Sequence, residues 1–165
     1  FSTLHTNDAP SAYTRLIDMG AESFLVADAV EAVMAQRLLR TICGDCRQSH
    51  TYPAEDLLKI DFPKDRLEDA EFFKGRGCDN CGGIGYRGRT GIYELLTSSN
   101  AVEQLVIDRA SAALIGQQAR AEGMTTLRQD GWSKVMEGQT SLEEVLRVTL
   151  AAEAAREEEG APVPV

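Results

Sequence analysis

Hydrophobic positions change period several times along the chain, and each change marks a new element. Phe1-Ser2-Thr3-Leu4-His5 alternates apolar and polar, as a strand with one buried face does. Thr6-Asn7-Asp8 then offers N-cap residues and Pro10 suits a first helical turn. This predicts a helix from about Asp8 to Met19, with Tyr13, Leu16, Ile17 and Met19 inward and Gly20 as its stop. Glu22 to Met34 predicts a second helix, buried through Phe24, Ala27, Val30, Val33 and Met34. Ala35 to Ile42 predicts a strand running into a cysteine, with helix left open as the alternative.

Between Arg47 and Lys74 the pattern weakens. Pro53, Pro63 and many acids frame one short helix near Ala54–Ile60, followed by a strand at Glu71–Lys74. Tyr86 to Leu96 predicts a hairpin, with Ile92 and Tyr93 entering its second strand. Beyond Ser98 the period is helical throughout. Ala101–Arg109, Ser111–Glu122, Thr125–Glu137 and Ser141–Leu150 are helices, with Gly123 and Gly138 as C-caps between them. Ser141 and Glu144 have the spacing of a capping box. Residues 151–165 carry four Glu and one Arg, then alternate Pro and Val, which predicts a disordered acidic tail with order fading between about Ala152 and Glu158.

Composition narrows the function classes. The 165 residues are 43% hydrophobic and 26% charged, the proportions of an ordinary globular chain. A formal net charge of −9 argues against a general nucleic-acid binder. No apolar run approaches the roughly 20 residues needed to span a bilayer, so direct membrane insertion is not expected. No secretory signal is present, and paired cysteines without one favour a reducing, cytoplasmic setting. There is no initiator Met, so the chain is expected to be a piece of something longer.

The strongest chemical signal is the cysteine set. Cys43-Gly44-Asp45-Cys46 and Cys78-Asp79-Asn80-Cys81 hold all four cysteines, with 31 residues between the pairs. Two such knuckles can put four sulfurs around one Zn²⁺ at about 2.3 Å each. Two disulfides, an iron–sulfur cluster or unliganded thiols are the alternatives. Seven of the fourteen glycines lie from Gly75 to Gly91, where the backbone must turn tightly and bring N–H groups toward sulfur. Arg47, Lys74, Arg76, Arg87 and Arg89 are close enough in sequence to offset the thiolate charge, or are ordinary solvated cations. His50 is a solvated loop residue or a reserve ligand, and Trp132 is a core anchor or part of a partner groove with Val135 and Met136.

Phe1-Ser2-Thr3-Leu4-His5-Thr6-Asn7-Asp8-Ala9 resembles the histidine box of the ATPases that drive type II secretion and type IV pilus assembly. The resemblance continues through Arg15–Gly20, Ala35-Gln36-Arg37-Leu38, both cysteine pairs and Gly85–Leu96, in the family's order and over about residues 1–149. The four cysteines are similar to those of the secretion and pilus-extension branch. The resemblance implies an α/β fold: a partial RecA-like P-loop ATPase core at residues 1–42, a zinc module with hairpin at 43–96, and an α-helical C-terminal subdomain at 97–150. It implies a homo-hexamer that uses ATP and Mg²⁺, sits peripherally at the inner membrane through platform proteins, and binds no nucleic acid. No Gly-x-x-x-x-Gly-Lys-[Ser/Thr] occurs in these residues, so they are expected to be inactive alone.

The resemblance also implies site residues. His5 matches the histidine that contacts the γ-phosphate. An imidazole at the carboxyl edge of an α/β sheet can donate to a phosphate oxygen and change partner when that phosphate leaves. Read without the family, His5 is first a residue of a helix cap, bonded to Asn7 or Asp8, and the resemblance reverses that order. Thr3 and Thr6 help position it, and Arg37 lies near the nucleotide or in an ion pair on a strand edge. Two other classes remain open. Cys78–Gly85 fits the glycine-rich knuckle of DnaJ-type chaperones, and the pairs together fit a zinc-ribbon binding module.

Overall fold

Eleven α-helices and strands form among the described residues, and capping chemistry read from the sequence accounts for several of the helix ends. The computed structural model describes residues 1–67 and 69–159, with side chains through Leu150. The first elements are α1 (Pro10–Asp18), α2 (Ser23–Ala29), β1 (Ala32–Ile42), β2 (Arg47–His50), α3 (Ala54–Lys59) and β3 (Phe72–Gly75). The chain continues as β4 (Tyr86–Thr97), α4 (Asn100–Ile107), α5 (Ala112–Ala121), α6 (Leu127–Met136) and α7 (Leu142–Glu159). β1 pairs with β4 and β2 with β3. Helices and strands are thus mixed along the chain.

The described chain divides into two compact units, the first built from Phe1–Gln36, Tyr93–Leu127 and residues 151–159, the second from Arg37–Ile92 and Arg128–Leu150. In the first unit, α1 opens with Pro10 at its first positions and stops where Gly20 takes a φ of +95°. Ser99 caps α4 by accepting the Val102 N–H at 3.2 Å, and Ser111 caps α5 by accepting that of Leu114 at 3.4 Å. These helices enclose Ala12, Tyr13, Val26, Leu96, Val102, Val106 and Ile115.

In the second unit β2 and β3 run antiparallel, with Arg47 opposite Gly75 and His50 opposite Phe72. Phe72 stacks edge-on with Tyr52 and Phe62, and Phe62 in turn meets Trp132 at 5.6 Å between ring centres. Trp132 is 1% exposed, so it is a core anchor and not a groove. Ser141 caps α7 through the Glu144 N–H at 3.3 Å, which is half of the expected capping box. The other half is replaced. The Glu144 carboxylate is fully buried and accepts the Arg40 N–H at 3.0 Å, Arg40 Nη2 at 2.6 Å, and Arg147 Nε and Nη2 at 2.8 and 2.7 Å. Burial raises its pKa, but the hydrogen bonds from Arg147 and Arg40 outweigh that and hold it down at about 2.

Four expectations change. Phe1–His5 forms no strand; no partner strand lies beside it among the described residues, and a strand without one leaves its backbone groups unbonded. The helix expected to reach Met34 ends at Ala29, because Val30 turns extended and the chain enters β1 at Ala32. Val33, Ala35, Arg37 and Leu39 then point inward with the two-residue period of a strand, which settles residues 35–42 as strand. The hairpin expected over Tyr86–Leu96 is one continuous strand, β4. Its apparent turn residue, Gly88, instead leaves room for the side chain of Thr41, whose hydroxyl donates to the Arg87 carbonyl at 2.5 Å. Finally, α7 runs on to Glu159, beyond the expected fading of order. The rest of the expected disordered tail, residues 160–165, lies outside the described residues.

The Glu144 cluster carries a prediction. Its folded pKa lies below the roughly 4.3 of a free glutamate. Its contribution to stability is therefore complete above about pH 4.5 and lost as pH falls toward 2. Glu144→Gln should cost about 2–4 kcal/mol at pH 7 and flatten that part of the acid limb. Denaturant titration across pH measures both, and a native-like variant at pH 7 contradicts the assignment.

Candidate metal centre

Both cysteine pairs are carried on the same local device. Gly44–Cys46 and Asp79–Cys81 each form one 3-10 turn, closed by Cys46 N–H to the Cys43 carbonyl at 3.3 Å and Cys81 N–H to that of Cys78 at 3.2 Å. β1 delivers the first turn and β3 leads toward the second. Two backbone bonds clamp the knuckles together, Cys43 N–H to the Gly85 carbonyl at 2.9 Å and Arg76 N–H to that of Cys46 at 3.0 Å. This crossing is close. A Cβ on Gly75 would strike the Gly85 backbone, and one on Gly77 would strike Gly83, so no side chain fits at either place.

The clamp brings the four sulfurs within 4.8 Å of one another. Cys43 and Cys78 are 3.9 Å apart, Cys46 and Cys81 3.9 Å, and Cys78 and Cys81 3.7 Å. A tetrahedron with metal–sulfur bonds of about 2.3 Å has edges of about 3.8 Å. Disulfides need about 2.05 Å, and all four thiols are free. The arrangement fits one tetrahedral metal ion, not two bridges. Cys43, Cys46 and Cys81 are buried, and Cys78 partly so.

Backbone amides face this set, as the glycine content predicts. Gly77 N–H points to Cys46 Sγ at 3.3 Å, Cys78 N–H to Cys81 Sγ at 3.2 Å, and Gly85 N–H to Cys81 Sγ at 3.3 Å. Burial raises the Cys81 thiol, but the amides of Cys78 and Gly85 and the neighbouring thiols bring it down to about 6. Burial, with less help from Gly77, pushes Cys46 up to about 11.

The cations proposed to neutralise the sulfurs are mostly engaged elsewhere. Arg47 lies over the Phe73 ring at 3.6 Å, and Lys74 pairs with Glu143 and stands over Tyr52. Arg87 comes within 3.9 Å of Asp45, which accepts from the Cys43 thiol. Three backbone N–H groups face the sulfurs directly. His50 is no reserve ligand, since it is exposed in β2, stacks edge-on with Tyr52, and lies outside the sulfur cluster.

The remaining candidate residues are described singly. His5 and Thr3 are exposed on the irregular segment before α1. Thr6 is half-buried, its hydroxyl donating to the Asp8 carbonyl at 3.1 Å, and Asp8 caps α1 by accepting the Ser11 N–H at 2.9 Å. Arg37 is half-buried on β1. Sequence reading missed Glu94, a 5% exposed acid on β4. A signal existed, because Glu94 shares its strand parity with the apolar Ile92 and Leu96 and so belongs to their inward face.

Comparison with known proteins agrees with the motifs. The family model described as "Type II/IV secretion system protein" matches residues 1–147. The type IV pilus assembly ATPase PilB of Pseudomonas aeruginosa is 43% identical over 148 residues, 90% of this chain and 26% of that protein. The type II secretion system protein E of Aeromonas hydrophila is 45% identical and the type II secretion system ATPase E of Vibrio cholerae 44%, each over 90% of this chain and 29% of the relative. The chain therefore spans less than a third of the length of these relatives. A match in this order and extent replaces the chaperone and zinc-ribbon readings: the chain belongs to the type II/IV secretion system protein family.

Proposed function

We propose that these residues are the C-terminal part of the motor of a hexameric traffic ATPase, which couples ATP hydrolysis to type II secretion or type IV pilus assembly. The observation that carries this is the match over 90% of the chain to relatives named as ATPases of those two systems. Residues 1–42 contribute to a RecA-like core, and residues 97–150 form a helical subdomain. The phosphate-binding loop and the acid that holds Mg²⁺ come from chain outside these 165 residues. The protein works at the cytoplasmic face of the inner membrane through platform partners. No helix among the described residues is long and apolar enough to cross a membrane.

In this reading the exposed His5 imidazole donates to a γ-phosphate oxygen of ATP, with Thr3, Thr6 and Arg37 on the nucleotide side. Thr6 supports His5 through its bond to the Asp8 carbonyl, which ties the segment to the start of α1. Cys43, Cys46, Cys78 and Cys81 hold one structural Zn²⁺, which supplies folding energy and no chemistry. The sulfur edges of 3.7–3.9 Å support that ligand set.

Three outcomes are expected. Elemental analysis should find close to one zinc per chain, and chelation should melt at least the stretch from Cys43 to Gly91, because structural zinc contributes on the order of 10–16 kcal/mol. A metal-free folded chain would exclude the site. In the complete protein His5→Ala should lower kcat for ATP at least tenfold while nucleotide affinity changes less than twofold, about 1.4 kcal/mol confined to the transition state. The 165 residues alone should show no turnover. Equal loss of kcat and affinity would make His5 a structural cap, and turnover by the short chain would refute the division of labour.

A further inference from the structure

The acid on β4 that the motif reading passed over is aimed at the histidine-bearing segment. Glu94 Oε1 accepts the Ala9 N–H at 2.9 Å, and its Oε2 faces the Leu127 N–H at 3.4 Å. These amides lie 85 and 33 residues away in sequence, and each stands at the start of a helix, α1 and α6. The first N–H groups of a helix have no partner inside it, and an anion there also meets the positive end of the helix dipole. One carboxylate thus serves two helix starts with its two oxygens. A neutral amide side chain has one acceptor oxygen and would turn its NH₂ toward the other donor.

What this holds still is the run directly after His5. Asp8, Ala9 and Pro10 are buried, whereas His5 is exposed. Ala9 is 0% exposed, and Pro10 packs so closely on α5 that a Cβ on Gly116 would stand 3.1 Å from its ring. Only three residues, Thr6, Asn7 and Asp8, separate the anchored Ala9 from His5. Thr6 and Asp8 tie it locally, and Glu94 adds a polar tie from a distant strand.

We infer that Glu94 is a positioning residue for His5: by holding the Ala9 amide, it fixes where the exposed imidazole meets the phosphate. This rests on the reading of His5 as a phosphate contact. Misplacing a reacting group by an ångström costs far more in rate than in binding, so the effect of Glu94 belongs in kcat. Because it acts through His5, its loss adds little once the imidazole is gone.

The test uses the complete protein with Glu94→Gln, His5→Ala and the double substitution, measuring kcat and KM for ATP and the melting temperature. Glu94→Gln should lower kcat about tenfold with KM within twofold, and the double variant should be no slower than His5→Ala. Native kcat, a parallel loss in kcat and KM, or full additivity with His5→Ala overturns the inference. If Glu94→Gln does not fold, Glu94→Asp keeps the charge and shortens the reach, and should show the same kcat loss. Hydrogen exchange separates the two ideas. In either folded variant, exchange of the peptide containing Ala9 should quicken about tenfold, and unchanged exchange refutes the clamp. Should His5→Ala leave kcat intact while that exchange quickens, the clamp stands, and the phosphate reading fails together with the role in catalysis inferred from it.

Discussion

Four sulfurs on one tetrahedron with edges of about 3.8 Å leave the backbone around them almost no freedom. Both knuckles must present their thiols from tight turns, and the segments that carry them must pass at van der Waals contact. That requirement explains the glycines better than flexibility does. Gly75 and Gly77 are placed where the chain runs against Gly85 and Gly83, and any side chain there would push the knuckles apart. The same proximity brings the amides of Gly77 and Gly85 onto sulfur. Steric closeness and electrostatic support therefore come from one geometry.

Outside the sulfur cluster, two buried carboxylates organise the chain by one logic. Glu144 accepts the Arg40 amide with two guanidinium groups, and Glu94 accepts amides at two helix starts. Burying a charge is costly unless it is fully bonded. Each acid is bonded by groups far away in sequence, so each works as a long-range connector within its own unit. The two differ in what surrounds the carboxylate. Glu144 is matched by arginines that reach solvent, as befits a stability element. The Glu94 clamp contributes backbone amides, which makes it a device for placing main chain.

The sequence was most legible where local chemistry decides. The cap at Ser141, the stops at Gly20, Gly123 and Gly138, and the paired cysteines are all read from residues a few positions apart. It was least legible where pairing decides. Residues 32–34 were taken for helix because Val33 and Met34 extend an apolar period, yet β4 claims them for a sheet. The hairpin expected over Tyr86–Leu96 is a single strand, in which Gly88 makes space for Thr41. Ser141 and Glu144 were read as a closed local pair, but Arg40, 104 residues away, competes for the acid and wins. Of the candidate site, the sulfur set was fully visible in the spacing. Glu94 was hidden because its motif drew attention to itself as a string and not to the inward parity of one acid.

The second compact unit is assembled from two stretches, Arg37–Ile92 and Arg128–Leu150, with the chain of the first unit running between them. Synthesis therefore delivers all four thiols well before Trp132, Ser141 and Glu144 arrive to complete their surroundings. At ribosomal rates of about 5–20 residues per second, the wait from Cys81 to Leu150 lasts about 3–14 s. Throughout it the knuckles stand without the second stretch of their own unit. Early capture of the right ion would close that window and fix the geometry on which the later helices settle. The chain order thus lets any ion that the four thiols take up arrive before the last two helices of their unit exist.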